Sequence, residues 1–300
     1  MDSSNDKLYN LYVQLEPVIA ELEEERKSKL HIILLITSIL SILLIIVFVK
    51  FLILTNFLIV FALYPFLTLI FWIVFTFQLL YFIFLGEKYR QTFKHNIIDS
   101  LVSLFSQNTS KYYPKEFINF TLIKDSLLFK DLNKYKKASL TYQGLDCILY
   151  KGNDLINSSN MQCSQLKIGD GDIFKGLFII IDLLKNTNTA FGTSNNISNN
   201  KILLDNAEFN ELFPVYAENT TEAFYILPSN LLERMVNFVR KTGRKFDFSV
   251  VDNKFYIAIP YNRELLEPPI FKSLFDYSIY EEYLTDLELA IGIVEDLKLA

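Results

Sequence analysis

The sequence predicts a membrane-anchored α+β protein. A helical N-terminal part carries a two-helix transmembrane hairpin, and a mainly antiparallel sheet domain with two or three helices follows. Three observations predict this. First, the apolar run from Leu30 to Leu85 contains Lys50 as its only formal charge, with His31 at its edge. A hydrocarbon core about 30 Å thick takes ~20 helical residues, so the run has the length of two spans rather than one. Second, Arg26, Lys27 and Lys29 precede the run, and Lys88, Arg90 and Lys94 follow it. The positive-inside rule then places both termini in the cytoplasm, on a two-span protein of the cell membrane. Third, beyond residue 118 the helical period gives way to short β-like runs separated by polar turns.

Residues 1–29 read as a cytoplasmic amphipathic helix. Leu8, Leu11, Tyr12, Leu15, Val18, Ile19 and Leu22 recur at three- and four-residue steps, and Pro17 interrupts them. This seam has two readings: a helix for a protein partner, or one that packs on the chain's own residues 87–106. The hairpin divides at Thr55-Asn56 into spans 30–54 and 57–85, with Pro65 expected to kink the second. The run starts about 30 residues in and lacks a small-residue cleavage site, so it does not read as a cleaved signal peptide. Residues 86–109 form a juxtamembrane helix and linker, striped by Phe93, Ile97, Ile98, Leu101, Leu104 and Phe105. His95 beside that stripe reads as a surface or packing residue.

Residues 110–300 read as a cytoplasmic α+β domain. Residues 107–118 are expected to form a loop. Strands are expected at 139–150, 161–168, 174–183, 201–204, 222–227, 245–251 and 254–260, with Asp252-Asn253 as a hairpin turn. Helices are expected at 206–213, at 228–242 between Pro228-Ser229 and Gly243, and at 277–298. The polar stretch 185–200 reads as a flexible loop.

The net charge of −5 divides as −3 for 1–29, +1 for 30–85 and −3 for 86–300, so no region is basic and nucleic acid is a poor partner. Cys147 and Cys163 lack metal-type spacing, fit a reducing compartment and read as buried thiols.

Several motifs fall in one order: Phe174-Lys175-Gly176-Leu177-Phe178, then Glu208-Phe209, then Leu212-Phe213-Pro214-Val215-Tyr216. Glu222-Ala223-Phe224-Tyr225-Ile226-Leu227-Pro228 follows, then the hairpin from Asp252 to Pro260 and Glu267-Pro268-Pro269-Ile270-Phe271. In that order and spacing the chain resembles a bacterial family known only as a domain of unknown function, with two membrane spans and then a soluble domain. The family usually carries Arg where this chain has Phe224, so any role of that Arg is absent here. The resemblance implies architecture and no chemistry.

No catalytic, cofactor or metal motif stands out. Gly169-Asp170-Gly171-Asp172 lacks the alternating ligands and closing Glu of a calcium loop and reads as a turn. Glu281-Glu282 and Asp286-Glu288 read as a solvated helix face. The candidate surface is Arg234, Arg240, Lys241, Arg244 and Lys245, which suits anionic headgroups or an acidic partner. The same cations also offset a helix macrodipole. The functional expectation is a scaffold or regulator on the lipid bilayer whose cytoplasmic domain binds a protein, lipid or small ligand. A tethered enzyme is the alternative, and a subunit of an oligomeric transporter comes third.

Overall fold

The structure is a computed structural model. It describes residues 2–54, 75, 86–105, 110–130, 132, 142–150, 160–169, 173–262, 264–269, 271–285 and 293. The chain forms two compact units. The first gathers Met1–Tyr12, Ile97–Glu267 and Tyr277–Ala300, and the second Val13–Asn96 and Pro268–Asp276.

Helix α1 runs from Asp2 to Leu54 and contains Pro17. An interior proline removes one helical hydrogen bond. Burial of Leu8, Ile19 and Leu22 on either side of Pro17 carries the helix through that loss. Residues 86–93 are helical and lead into a π-helical turn, Lys94–Ile98, and α2, Asp99–Phe105. The expected continuous helix over 87–106 therefore contains a π turn.

The first unit is built on an antiparallel sheet. Its strands are β1 (Ser110–Tyr113), β2 (Tyr142–Tyr150), β3 (Met161–Ile168), β4 (Phe174–Asp182), β5 (Phe191–Gly192), β6 (Lys201–Ile202), β7 (Val215–Ala217), β8 (Asp247–Val251) and β9 (Lys254–Pro260). They lie in the order β1-β2-β3-β4-β9-β8-β5-β7-β6, every described pair antiparallel. β8 and β9 are a hairpin whose turn residues, Asp252 and Asn253, both have positive φ (47° and 59°), the type I′ geometry that Asp and Asn tolerate.

The central strands are buried on both faces, which is why Phe178-Ile179-Ile180-Ile181 and Tyr256-Ile257-Ala258-Ile259 read as continuous apolar runs rather than alternations. On one face Leu166, Phe174, Phe178, Ile180, Tyr256 and Ala258 pack with Ile118, Ile123 and Leu132. Ile123 lies on α3 (Phe120–Asp125), which Asn119 caps by accepting from the Thr121 N–H. Elsewhere Phe209 and Phe213, of α4 (Ala207–Leu212) and its C-cap, meet Phe246 and Phe248, and Phe248 stacks on Phe255 at 5.5 Å. Helix α5 spans Thr220–Ile226 and α6 spans Ser229–Thr242, the latter ended by Gly243 at φ 68°.

Several expectations need correction. The two-helix transmembrane hairpin, and with it the membrane-anchored fold class, is overturned: among the described residues no helix is long and apolar enough to cross a membrane. The apolar residues 30–54 do not form a separate first span. They continue one helix whose first half carries the amphipathic seam and the charges of Glu23 to Lys29, so an apolar stretch of sequence is not a distinct apolar helix here. Residues 57–74 and 76–85, most of the second expected span, lie outside the described residues.

The strand expected at 222–227 is helix α5. Asn219 caps it by accepting from the Glu222 N–H at 3.3 Å, and that local capping outweighs the β-like Ala-Phe-Tyr-Ile run. The stretch 185–200 is tied into the fold rather than loose. Phe191 is fully buried in β5, and Glu222 accepts from the Asn188 N–H at 2.5 Å and the Thr189 hydroxyl at 2.7 Å. Residues 110–113, expected in a loop, form edge strand β1. The helix expected at 277–298 is described as helical at 278–285 and at 293. Leu287, Ile291, Val294 and Leu297 lie outside the described residues.

Candidate functional site

The most chemically distinctive cluster of the first unit grows from one extra residue in β2. The β2–β3 register passes from Leu145↔Gln165 to Ile148↔Cys163, so two residues of β2 face one of β3. Asp146 takes up the slack at φ 59°, in the left-handed region that Asp visits more readily than most residues. Ser164, opposite the bulge, donates its hydroxyl to Leu145 O at 2.8 Å. Asp146 is 2% exposed, and its carboxylate accepts the phenolic hydrogen of Tyr112 at 2.5 Å. Burial, reinforced by the negative charge of Asp146, pushes the Tyr112 phenol well above its ordinary range.

Asp146, Ile148, Cys163, Gln165, Leu177, Leu265, Leu266 and Tyr283 line a cavity of about 20 Å³. A strap closes over it. Gln165 Oε1 accepts from the Leu265 N–H at 2.9 Å, Leu266 sits at φ 53°, and the Tyr283 hydroxyl donates to Glu267 O at 2.6 Å. The volume admits a water-sized molecule, far below the roughly 300–1,000 Å³ of a typical ligand pocket. The cluster fixes a bulge and a strap; it does not present a substrate cleft.

The expected anionic-partner surface is placed as follows. Arg240 is exposed and forks onto Glu208, with its Nε at 2.9 Å, while donating to Asn237 at 2.9 Å. Arg244 stacks over the Tyr261 ring at 4.6 Å, donates to its hydroxyl at 3.0 Å and lies 3.5 Å from Glu282. Lys245 is exposed beyond Gly243, Lys241 is exposed in the last turn of α6, and Arg234 is half-buried about two turns earlier. Arg240 and Arg244 therefore have carboxylate partners within the first unit.

Cys147 and Cys163 are buried thiols outside any disulfide, as expected from their strand context, and burial pushes Cys147 up to about 11. His95 is exposed on the π turn. Asp170, Gly171 and Asp172 of the calcium-like stretch, and Asp286 and Glu288 of the paired carboxylates, lie outside the described residues. No group of three potential metal ligands occurs among the described residues.

The second unit offers a different feature. The later part of α1 presents Ile32, Leu34, Leu35, Ile39, Ile42, Leu43, Ile45, Ile46 and Val49 to the exterior, Leu34 being 64% exposed. At 3.6 residues per turn these positions cover about half of the helix circumference. Just before them Glu23, 1% exposed, is held by a two-pronged Arg26 fork at 2.7 and 2.8 Å. The Ser273 hydroxyl (3.2 Å) and the Leu274 N–H (3.0 Å) also donate to the Glu23 carboxylate. Arg26 is the chief reason the Glu23 carboxyl lies low, at about 2; burial opposes it and the Leu274 N–H assists.

Sequence reading missed both carboxylates. Asp146 does interrupt the strand-like run Gly144-Leu145-Asp146-Cys147-Ile148, a usable bulge signal. Glu23, one of three consecutive Glu residues, has no such mark.

Fold and site together define an antiparallel-sheet domain on a chain that begins with a long helix, apolar and exposed in its later part. Within that class, residues 172–299 match the family described as Protein of unknown function (DUF3137), which supports a domain of unknown function over that segment. No curated protein and no solved structure matches the chain.

Proposed function

We propose that this protein is a binding module attached to a lipid bilayer, acting as a scaffold or regulator rather than through catalysis. One observation carries the reading: the exposed, uncharged apolar surface of α1 from Ile32 to Val49. A contiguous apolar surface of this breadth marks a protein or membrane contact. Lipid suits it best, because the exposed side chains described there are Leu, Ile and Val rather than the aromatic and Arg anchors of protein hot spots. The small cavity at Asp146 favours binding through the outer surface of the sheet domain, and the exposed Lys245 suits an acidic partner.

The test is flotation of the full chain with phosphatidylcholine vesicles, followed by affinity purification in mild detergent. Flotation that is lost in an Ile39→Lys, Ile42→Lys, Ile46→Lys variant is the expected result. A chain that stays at the bottom of the gradient overturns the attachment. Reproducible catalytic turnover by the sheet domain would overturn the binding role.

A further inference from the structure

The loop Pro268–Asp276 carries two exposed aromatic rings, Phe271 (85% exposed) and Phe275 (44%). Exposed apolar side chains are common singly, but here two rings share one short loop, and the loop is fastened. Its Ser273 hydroxyl and Leu274 N–H both donate to the buried Glu23 carboxylate of α1, which the Arg26 fork fixes in turn. Charge-assisted hydrogen bonds of this kind hold a backbone to a set position.

That position lies on the same helix as the apolar surface. Glu23 is nine residues before Ile32, the first residue of that surface, about 14 Å of helical rise. Phe271 is three residues from Leu274 and so within ~10 Å of the clamp by chain length. Pro268 and Pro269 fix their own φ at the start of the loop. Lys27 and Lys272, in the same unit, have half-exposed side chains and lie 3.6 Å from Glu23 and 2.9 Å from Asp276, so both carry internal ion pairs at the loop and its clamp.

We propose that the 268–276 loop is an aromatic wedge, with Phe271 as the side chain that enters the interfacial layer of a lipid bilayer. This rests on the bilayer attachment proposed above. The Glu23–Arg26 clamp sets the height of the wedge on α1. Aromatic side chains favour the membrane–water boundary, where an apolar ring is sheltered and the adjoining backbone stays hydrated.

The test uses the full chain with Trp72, its single tryptophan, replaced by Phe and with Phe271→Trp added. The protein is reconstituted with phosphatidylcholine vesicles brominated near the top of the acyl chain. The expected result is flotation together with at least twofold quenching of tryptophan emission relative to unbrominated vesicles. Ser273→Ala, which loosens the clamp gently, should reduce that quenching, as should Glu23→Gln. Flotation without quenching overturns the wedge and leaves the attachment standing. Failure to float overturns both. Full quenching in both clamp variants overturns the role given to Glu23.

Discussion

Tyr112 on edge strand β1 donates its phenolic hydrogen to Asp146, the residue by which β2 bulges, at 2.5 Å. This hydrogen bond ties the outermost ladder to an irregularity that holds a buried carboxylate. A buried carboxylate that loses a donor has less of its desolvation penalty offset.

Removing the donor should therefore show. Tyr112→Phe is expected to cost about 1–3 kcal/mol, read as a shift of the urea midpoint. Asp146→Asn should cost less than Asp146→Ala, since Asn tolerates positive φ and still accepts the phenol. The same pair gives an alkaline signature. The folded Tyr112 phenol lies above its unfolded value of about 10, so its contribution is intact below pH ~10 and is lost as pH climbs toward the folded value. Burial likewise raises Tyr142 and Tyr256, so the wild type should lose stability above pH ~10, and Tyr112→Phe should flatten that decline. Equal alkaline slopes in the two proteins would contradict the assignment.

Glu23 should show the opposite dependence. Its carboxyl is lowered from 4.5 to about 2, chiefly by the Arg26 hydrogen bonds. A depressed carboxyl contributes stability that is present above its unfolded value and is lost as pH falls through the folded one. Glu23→Gln is thus expected to melt below the wild type at pH 6, and the gap should close between pH 4.5 and 2. A gap in Tm that persists unchanged at pH 2 would mean that the charge of Glu23 is not what fastens Ser273 and Leu274.

Gly176 tests the close approach of β4 and β9. A Cβ built there overlaps the Ile259 carbonyl oxygen and lies 2.9 Å from the Pro260 Cα. Backbone cannot yield as a flexible side chain would. Gly176→Val should reach or exceed the upper end of the ~1–3 kcal/mol typical of overpacking, and Gly176→Ala should already be costly. A Gly176→Val protein with an unchanged denaturant midpoint would show that the strands part easily.

Much of the fold was legible wherever the signal is local. The runs 161–168 and 254–260 became β3 and β9 with the expected limits, because apolar residues between turn residues need no distant partner to be recognised. α6 begins after Pro228 and stops at Gly243 as its end signals require. Other parts were not legible. β5 has two residues and β7 has three, too few for any period, and they are strands because distant backbone accepts them: Phe191 aligns with Val250 on one side and Ala217 on the other. The Asn219-Thr220-Thr221-Glu222 cap announced helix α5, yet the apolar run after it resembles a strand.

The sequence by itself determined the long apolar stretch after residue 29, the central strands, the Asp252-Asn253 turn and the ends of α6. Each depends on side-chain period, turn chemistry or capping within a few residues. Only the tertiary structure decided that α1 runs unbroken through Pro17 into that apolar stretch, that Asp146 swells β2 beside Tyr112, and that Glu23 receives Ser273 and Leu274. Those outcomes depend on groups far apart in the chain satisfying one another's buried charges and hydrogen bonds, and no local pattern records which partners will meet.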